Sequence, residues 1–302
     1  LENAFDLSDI EYPAKVEVKP SKDLSNGKGY TFNDPYFQKQ YHNPERQQLN
    51  FVRFLDNQTI AMVHDNHQVT VQNLEIDGTS VGERSWTKSF NLQGADVICE
   101  DIILNAARDL IYIGCQDKSS TDLNPGAIWV YSVDLLTLDT KVVKVGKEQK
   151  DTWRIYNRLQ LGIFTATQES SDSGSEANAE HTFLFLWDQG VSVQKQTRTN
   201  NKFLYFEAVE AGNLKYGGIV EIQGDFQAIY DLLNYQNRIL VSGRTKGSAG
   251  IISVTQCKFV RGQAQMSCPG PTRPTTIKHG FIGFFNTGQL FTFDRDQKTV
   301  KV

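Results

Sequence analysis

Apolar and polar residues alternate along this chain in a pattern of paired strands joined by tight turns. Three stretches each hold two apolar runs of strand length around a polar turn: residues 51–65, 101–115 and 226–243. Each is followed by a further strand, at residues 68–74, 127–133 and 250–255. The runs are apolar on both faces, which indicates strands that are covered on each side. The pattern predicts repeated antiparallel sheets at intervals of roughly 50 residues.

The rest of the chain divides into units of the same kind. Their predicted limits are residues 48–93, 94–147, 148–200, 201–224, 225–270 and 271–302. The unit at 201–224 is short, and it is either a sheet of its own or an elaboration of its neighbours. No segment shows a helical period over the roughly 11 residues that a helix assignment needs. The predicted fold class is therefore all-β, with five or six units.

The order of strand, tight turn, strand and strand at this spacing resembles the blade of a β-propeller, in the broad sense of WD40-like or quinoprotein-like repeats. The resemblance covers residues 48–302 and rests on the pattern alone. No series of Gly-His and Trp-Asp signatures closes the repeats, since Trp-Asp occurs once, at Trp187 and Asp188. The resemblance implies a β-propeller of five or six four-stranded blades, and it implies no site residue.

Residues 1–47 differ from the rest because they are polar and interrupted by proline and glycine. They contain one strictly alternating strand, at residues 14–19, and the last strand of the chain, at 298–302, alternates in the same way. Propeller rings are often completed by a terminal strand, so we expect both termini in one sheet. The predicted domains are an N-terminal arm, 1–47, with one closing strand, and a β-propeller, 48–302.

Aromatic residues of the arm lie outside its predicted strand. If they are not packed on the propeller, they form a contact surface. The predicted binding residues are therefore Tyr30, Phe32, Tyr36, Phe37 and Tyr41. The tryptophans, in contrast, fall on predicted strands and are expected in the core: Trp86, Trp129, Trp153 and Trp187.

Charge and hydropathy exclude several classes of partner. The chain has 302 residues, of which 31 are basic and 35 acidic, and its formal net charge is −4. This balance gives no electrostatic basis for binding nucleic acid or an anionic membrane. No stretch approaches the roughly 18–20 consecutive apolar residues that span a bilayer. The predicted partner is a protein or a glycan, further copies of this chain included, without membrane insertion.

Four cysteines form two pairs, each of which flanks a predicted hairpin. Cys99 and Cys115 lie symmetrically about one turn, and Cys257 and Cys268 about another. Residues opposite one another in a hairpin have Cβ atoms about 4.5–5.5 Å apart, which approaches disulfide range. Two disulfides predict an oxidising compartment and a secreted or cell-surface protein; the alternative is four buried thiols in a cytosolic one. A sequon on a predicted turn makes Asn57 the predicted glycosylation site.

Metal-binding patterns are weak in this sequence. His64 and His67 have the spacing of metal ligands, but a third ligand is not evident, so exposed turn histidines are the simpler interpretation. Residues 117–121 resemble the metal-adhesion motif of von Willebrand A domains, yet a strand follows them where that motif needs a helix. Residues 294–296 lack the glycine and glutamate of a calcium loop. No metal and no cofactor is predicted.

Carboxylates are the remaining catalytic candidates. No Gly-x-Ser-x-Gly elbow occurs, and the five histidines do not indicate a triad. Some propeller hydrolases use acidic residues of inner strands, and the candidates here are Glu100, Asp101, Asp188, Asp225 and Asp231. With 35 acidic residues in the chain, no catalytic residue is assigned. The predicted function is a secreted binding or structural assembly module; the alternative is a propeller hydrolase or lyase that acts on a carbohydrate through carboxylates in the central channel.

Overall fold

Strands form almost all of the secondary structure of this protein. The computed structural model describes residues 49–56, 58–64, 67–73, 76–77, 80–81, 86–92, 96–117, 126–146, 159–167, 180–188, 201–223, 226–235, 238–245, 252–268, 273–274, 280–284, 290–294 and 299–301. Within these residues the one helical element is a 3-10 turn, Glu210–Gly212. The described strands assemble into five sheets of three or more strands and one small hairpin. The predicted all-β class is confirmed.

The first sheet is an antiparallel meander of four strands. In spatial order these are β1 (Leu49–Phe54), β2 (Thr59–His64), β3 (Gln68–Asn73) and β6 (Trp86–Asn91). A separate hairpin of β4 (Ile76–Asp77) and β5 (Ser80–Val81) lies between β3 and β6 in the chain. The turn before β2 forms because one carboxylate oxygen of Asp56 accepts the backbone N–H groups of Gln58 and Thr59, at 2.8 and 2.7 Å.

The second sheet repeats this meander with two turns that polar side chains organise. Its strands are β7 (Val97–Leu104), β8 (Leu110–Asp117), β9 (Ile128–Asp134) and β10 (Thr140–Val145). In the turn between β7 and β8, Asn105 Oδ1 accepts the N–H of Asp109 at 3.1 Å. In the turn between β9 and β10, Asp134 Oδ1 accepts the N–H of Leu136 at 2.7 Å. Such local hydrogen bonds favour turns over continued strands.

The third sheet joins two of the predicted units. It contains β11 (Leu159–Thr167), β12 (Glu180–Asp188), β13 (Lys202–Ala208) and β14 (Leu214–Ile222), all antiparallel. A short strand from further along the chain, β18 (Gln265–Met266), adds to β14 in parallel. Because β13 pairs with β12, the short unit at 201–224 belongs to the same sheet as the unit before it.

The fourth and fifth sheets complete the described chain. The fourth contains β15 (Phe226–Tyr235), β16 (Arg238–Thr245), β17 (Ile252–Cys257) and β19 (Arg273–Pro274). The fifth contains β20 (Gly280–Phe284), β21 (Leu290–Asp294) and β22 (Thr299–Lys301). The sheet order follows the chain order, so neighbouring sheets are joined by the last strand of one and the first strand of the next.

Consecutive sheets pack face to face, and this explains why the strands are apolar on both faces. In β8, Ile111 and Ile113 belong to the hydrophobic cluster shared with the first sheet, whereas Tyr112 belongs to the cluster shared with the third. A third cluster lies between the third and fourth sheets. Gly114 lets β8 approach β11, because a Cβ there would lie 2.4 Å from Leu159 Cδ2.

First strands of neighbouring sheets lie side by side. β7 lies beside β11, β11 beside β15, and β15 beside β20. Consecutive four-stranded meanders that stack through their faces and gather their first strands together are a propeller-like arrangement. The predicted arm, 1–47, and its strand at 14–19 lie outside the described residues.

Candidate functional site

Both predicted disulfides are present. Cys99 and Cys115 are direct partners across β7 and β8, and they form a disulfide. Cys257 and Cys268 form the second, which closes a hairpin that begins at the end of β17. The hairpin places Phe259 within an aromatic cluster, with its ring centroid 5.0 Å from that of Phe183. The first disulfide therefore joins two strands of one sheet, whereas the second closes a hairpin that lies between two sheets.

Acidic residues of β7 connect the second sheet to the third. A β-bulge between Cys99 and Asp101 lets two consecutive carboxylates reach the same neighbour. Glu100 Oε2 accepts the N–H of Leu159 at 2.6 Å, and Asp101 Oδ2 accepts that of Leu161 at 2.8 Å. Because both contacts advance in the same direction, β7 and β11 run parallel. Asp101, 1% exposed, also forms an ion pair with Arg53 of β1, so one carboxylate joins three sheets.

Two of the other candidate carboxylates lie on strands of the third and fourth sheets. Asp231 follows a bulge in β15, as Asp101 does in β7, and it accepts the N–H of Leu232 at 2.9 Å. Asp188 ends β12, which is a second strand, and it is fully buried. Asp225 lies outside the described residues. Both oxygens of Asp101 are engaged in contacts between sheets, Oδ2 with Leu161 and Oδ1 with Arg53.

The three metal-binding patterns considered in the sequence can be compared with the described part of the chain, where no group of three or more His, Cys, Asp or Glu side chains is placed to hold an ion. His67 adopts a left-handed backbone, with φ 64°, and its N–H bonds His64 O at 3.1 Å. Asp117 accepts the Trp129 indole N–H at 2.7 Å. The five aromatic residues of the arm and Asn57 lie outside the described residues, and Asp294 is the last residue of β21.

Four turns of the first three sheets meet at one end of the molecule. We name this end the turn face, and its turns are residues 55–58, 105–109, 135–139 and 209–213. Arg108 Nη2 lies 2.7 Å from Asp56 Oδ2, and the N–H of Leu135 donates to Asp109 O at 2.7 Å. Gly212, with φ 73°, packs so closely that a Cβ would lie 3.1 Å from Leu110 Cδ2. These contacts fix the turns of three sheets relative to one another.

A cleft of about 320 Å³ opens on the turn face between the first and second sheets. Its size lies at the lower end of the range of small-molecule sites, about 300–1,000 Å³. The lining combines an indole and two leucines with amide, hydroxyl and guanidinium groups. We name it the Trp86 cleft, and its lining residues are Gln58, Thr59, Asn73, Trp86, Leu104, Arg108 and Leu135.

Hydrogen bonds hold the polar wall of the Trp86 cleft in place. Thr59 is 2% exposed, and its hydroxyl lies 3.0 Å from Asn73 Nδ2 and 3.3 Å from Arg108 Nη2, both of which donate to it. Burial alone would raise the pKa of Asp56, but hydrogen bonds from Gln58 and Thr59 and the charge of Arg108 outweigh it, and the pKa lies below its ordinary value. The guanidinium is therefore paired with a carboxylate that remains ionised.

The apolar wall is held by Lys88, two residues after Trp86 on β6. Side chains two apart in a strand share one face, and the ammonium group lies 5.6 Å from the centroid of the indole. The same ammonium donates to the backbone carbonyl of Leu135 in the second sheet. This contact ties the indole to the opposite wall of the cleft.

Large apolar side chains are exposed beside the cleft. Phe54 ends β1 and is 75% exposed, Leu136 follows the cleft residue Leu135 and is 79% exposed, and Val209 begins the turn after β13 and is 43% exposed. All three belong to the turn-face ends of their strands. The exposed apolar groups therefore extend the turn face from the first to the third sheet.

The sequence did not predict the Trp86 cleft. Trp187 is buried in the core as predicted, but the prediction for Trp86 was incomplete, because its half-buried indole also lines the cleft. The described cleft residues come from four strands and three turns, and none of these elements carries a recognisable binding motif. The available signal was Arg108, a long side chain that the polar turn between β7 and β8 holds at a positive φ of 63°.

Comparisons with known proteins give distant likenesses. No model of a known family matches the chain, and no curated protein does. Among solved structures, a GH43_1 enzyme from Xanthomonas citri matches with a TM-score of 0.35 and 11% identity, over 82% of this chain and 84% of that one. Its complex with xylose matches with the same TM-score and identity, over 83% and 84%. The WD40 β-propeller domain of Doa1 matches with a TM-score of 0.22 and 11% identity, over 85% and 92%. Likenesses of this size carry no inference about activity.

Proposed function

We propose that this chain is a secreted or cell-surface β-propeller of five blades that binds a protein or glycan partner through its turn face. Five consecutive sheets support the blade number. The fifth has three described strands, and its last, β22, is at the sheet edge. In this proposal residues 14–19 pair with β22 and complete the ring, and residues 1–47 form the arm before the propeller at 48–302.

The two disulfides support an oxidising compartment. All four cysteines of the chain are engaged in them, and paired cysteines persist mainly in secreted and surface proteins. No helix of the described chain has the length and hydropathy to cross a bilayer.

The observation that carries the binding proposal is the cross-linked turn face. Four turns from three sheets are held together by an ion pair, a hydrogen bond and close packing at Gly212, and a cleft opens between the first two sheets, with exposed apolar groups on the same face. Loops held by a rigid scaffold are the common location of binding sites. Preorganisation lowers the entropy that binding must offset.

A photo-crosslinker placed on the turn face tests this proposal. Benzoylphenylalanine substituted for Leu136, which is 79% exposed, is expected to capture a partner on the cells or in the secretions where the protein occurs. The matched control replaces Val142, which is 45% exposed on β10 away from the turns. Adducts at position 136 and none at 142 support the proposal. Adducts at 142 alone, or at neither position, overturn it.

The enzyme alternative has its own test. If carboxylates in the channel catalysed hydrolysis, the protein would release reducing ends from polysaccharides, and Asp101→Asn would abolish this activity. We expect no release by the wild-type protein, because the carboxylate of Asp101 is buried and engaged with Leu161 and Arg53. Release by the wild-type protein that the folded Asp101→Asn variant lacks would establish the hydrolase instead.

A further inference from the structure

We infer that the Trp86 cleft is a binding site for a neutral saccharide. This inference rests on the proposed function and specifies the ligand of the turn face. The cleft offers one flat aromatic surface, from Trp86, and polar groups around it, from Gln58, Asn73 and Arg108. A pyranose ring has a face of C–H groups and a rim of hydroxyls, so it can contact the indole with the first and hydrogen-bond the polar groups with the second.

The charge of the cleft favours a neutral ligand over an ionic one. Among the described residues no carboxylate lines the cleft, so a cationic ligand finds no counter-charge in that lining. Arg108 does line it, but its charge is compensated by Asp56 at 2.7 Å. The second cation, Lys88, donates to the Leu135 carbonyl and lies within electrostatic reach of Asp134. An anionic ligand would therefore compete with carboxylates that are already in place.

Hydrogen-bonding capacity remains on the polar wall although its geometry is fixed. A guanidinium has five N–H donors, and the contacts of Arg108 with Asp56 and Thr59 both use Nη2. Asn73 contacts Thr59 through Nδ2, which leaves the acceptor role of the amide to Oδ1. Donors and acceptors on neighbouring groups suit hydroxyls, which both donate and accept.

The size and rigidity of the Trp86 cleft also suit a saccharide. A cleft of about 320 Å³ takes a small ligand or the end of a longer one. Its walls come from two sheets that Arg108 and Lys88 connect, so little order has to be gained on binding. A terminal or internal sugar unit of a glycan fits these limits. The exposed apolar groups outside the cleft would contact the molecule to which that glycan is attached.

A glycan array tests the inference. The probe protein carries Asn57→Gln, so that no glycan on the neighbouring sequon competes for the cleft. We expect it to bind neutral oligosaccharides and not the acidic ones. Titration calorimetry with the best neutral ligand then compares variants, and we expect Trp86→Ala to weaken binding at least ~10-fold, the equivalent of losing one good contact. The control Val142→Ala removes exposed apolar surface of β10 away from the turns and is expected to leave the affinity unchanged.

Gln58→Ala keeps the test valid if Trp86→Ala fails to fold. The side chain of Gln58 lines the cleft, whereas its turn is formed by the backbone N–H, so the fold is retained. We expect it to weaken binding by several fold. Equal affinity in all variants, binding of acidic glycans alone, or no binding by the folded protein would each overturn the inference. The photo-crosslinking result at position 136 is independent of these outcomes, so the proposed function can stand when the saccharide site fails.

Discussion

At the residue scale, buried or partly buried polar side chains join one sheet to the next. Asp101 receives the N–H of Leu161 and pairs with Arg53, and Arg108 pairs with Asp56. Buried charges are costly unless they are paired and hydrogen-bonded. These residues therefore fix how neighbouring sheets meet, and their removal should loosen the molecule at defined places.

Asp101→Asn should lower the free energy of unfolding by about 2–3 kcal/mol, because the amide cannot satisfy both the N–H of Leu161 and the cation of Arg53. Urea unfolding at pH 7 measures this. The control is Asp139→Asn, which changes an exposed carboxylate in the turn before β10 and should stay within about 0.5 kcal/mol. Equal effects of the two substitutions would show that Asp101 does not join the sheets.

Asp56 should make stability depend on acid pH. Its folded-state pKa lies below the ordinary value of 3.8, since the hydrogen bonds of its turn and the charge of Arg108 outweigh burial. A lowered pKa contributes stability above the unfolded value, and this stability is lost as pH falls through the folded value. Wild type should therefore exceed Asp56→Asn in stability at pH 7, and the gap should shrink below about pH 4. A gap that is constant from pH 7 to pH 2 would contradict this.

Two phenylalanines provide a test of packing with the same chemical change. Phe259 is 5% exposed, and its ring centroid lies 5.0 to 6.3 Å from those of four other aromatic rings. Phe259→Ala should lower the free energy of unfolding by about 3–5 kcal/mol. Phe54→Ala, at 75% exposure, should change it by less than about 0.5 kcal/mol. Thermal or urea unfolding of both variants measures these changes. A small change in the free energy of unfolding for Phe259→Ala would refute the packing described for this hairpin.

At the element scale, the hairpin at 257–268 connects the fourth sheet to the third. Its backbone pairing is the bridge between Lys258 and Ser267, and its distal strand, β18, pairs with β14 of the third sheet. Arg261 adds an ion pair of 2.7 Å with Glu207 of β13. The disulfide of Cys257 closes this element, whereas the pair across β7 and β8 reinforces strands that are already paired along their length.

Removing each disulfide should therefore give a different pattern of amide hydrogen exchange. The double variant Cys257→Ser/Cys268→Ser should lose about 2–3 kcal/mol of stability and exchange rapidly at residues 258–267. Cys99→Ser/Cys115→Ser should lose a similar amount, but β7 and β8 should keep their protection because their ladder remains. The same exchange pattern in both variants would show that the hairpin does not depend on its crosslink.

Local pattern was sufficient to predict the strands and the cysteine pairs. The run at 127–133 was predicted as a strand and corresponds to β9 (Ile128–Asp134), because its apolar residues lie between turn signals. Cys99 and Cys115 were paired correctly because a hairpin places symmetric residues opposite one another. The parallel contact of β18 with β14 and the cleft around Trp86 escaped prediction, since they join elements that are far apart in sequence and each half carries no local signal.

At the scale of the whole molecule, five sheets follow one another along the chain, and the first strands of the second to fifth sheets lie side by side. We propose that the N-terminal arm closes the ring and that the turn face contacts the partner.

A crystal structure of the full chain is the most direct test. We expect a closed ring in which residues 14–19 pair with β22 and the fifth sheet packs against the first, with the Trp86 cleft open on the turn face. An open row of sheets, or a ring in which the arm fills the Trp86 cleft, would contradict it.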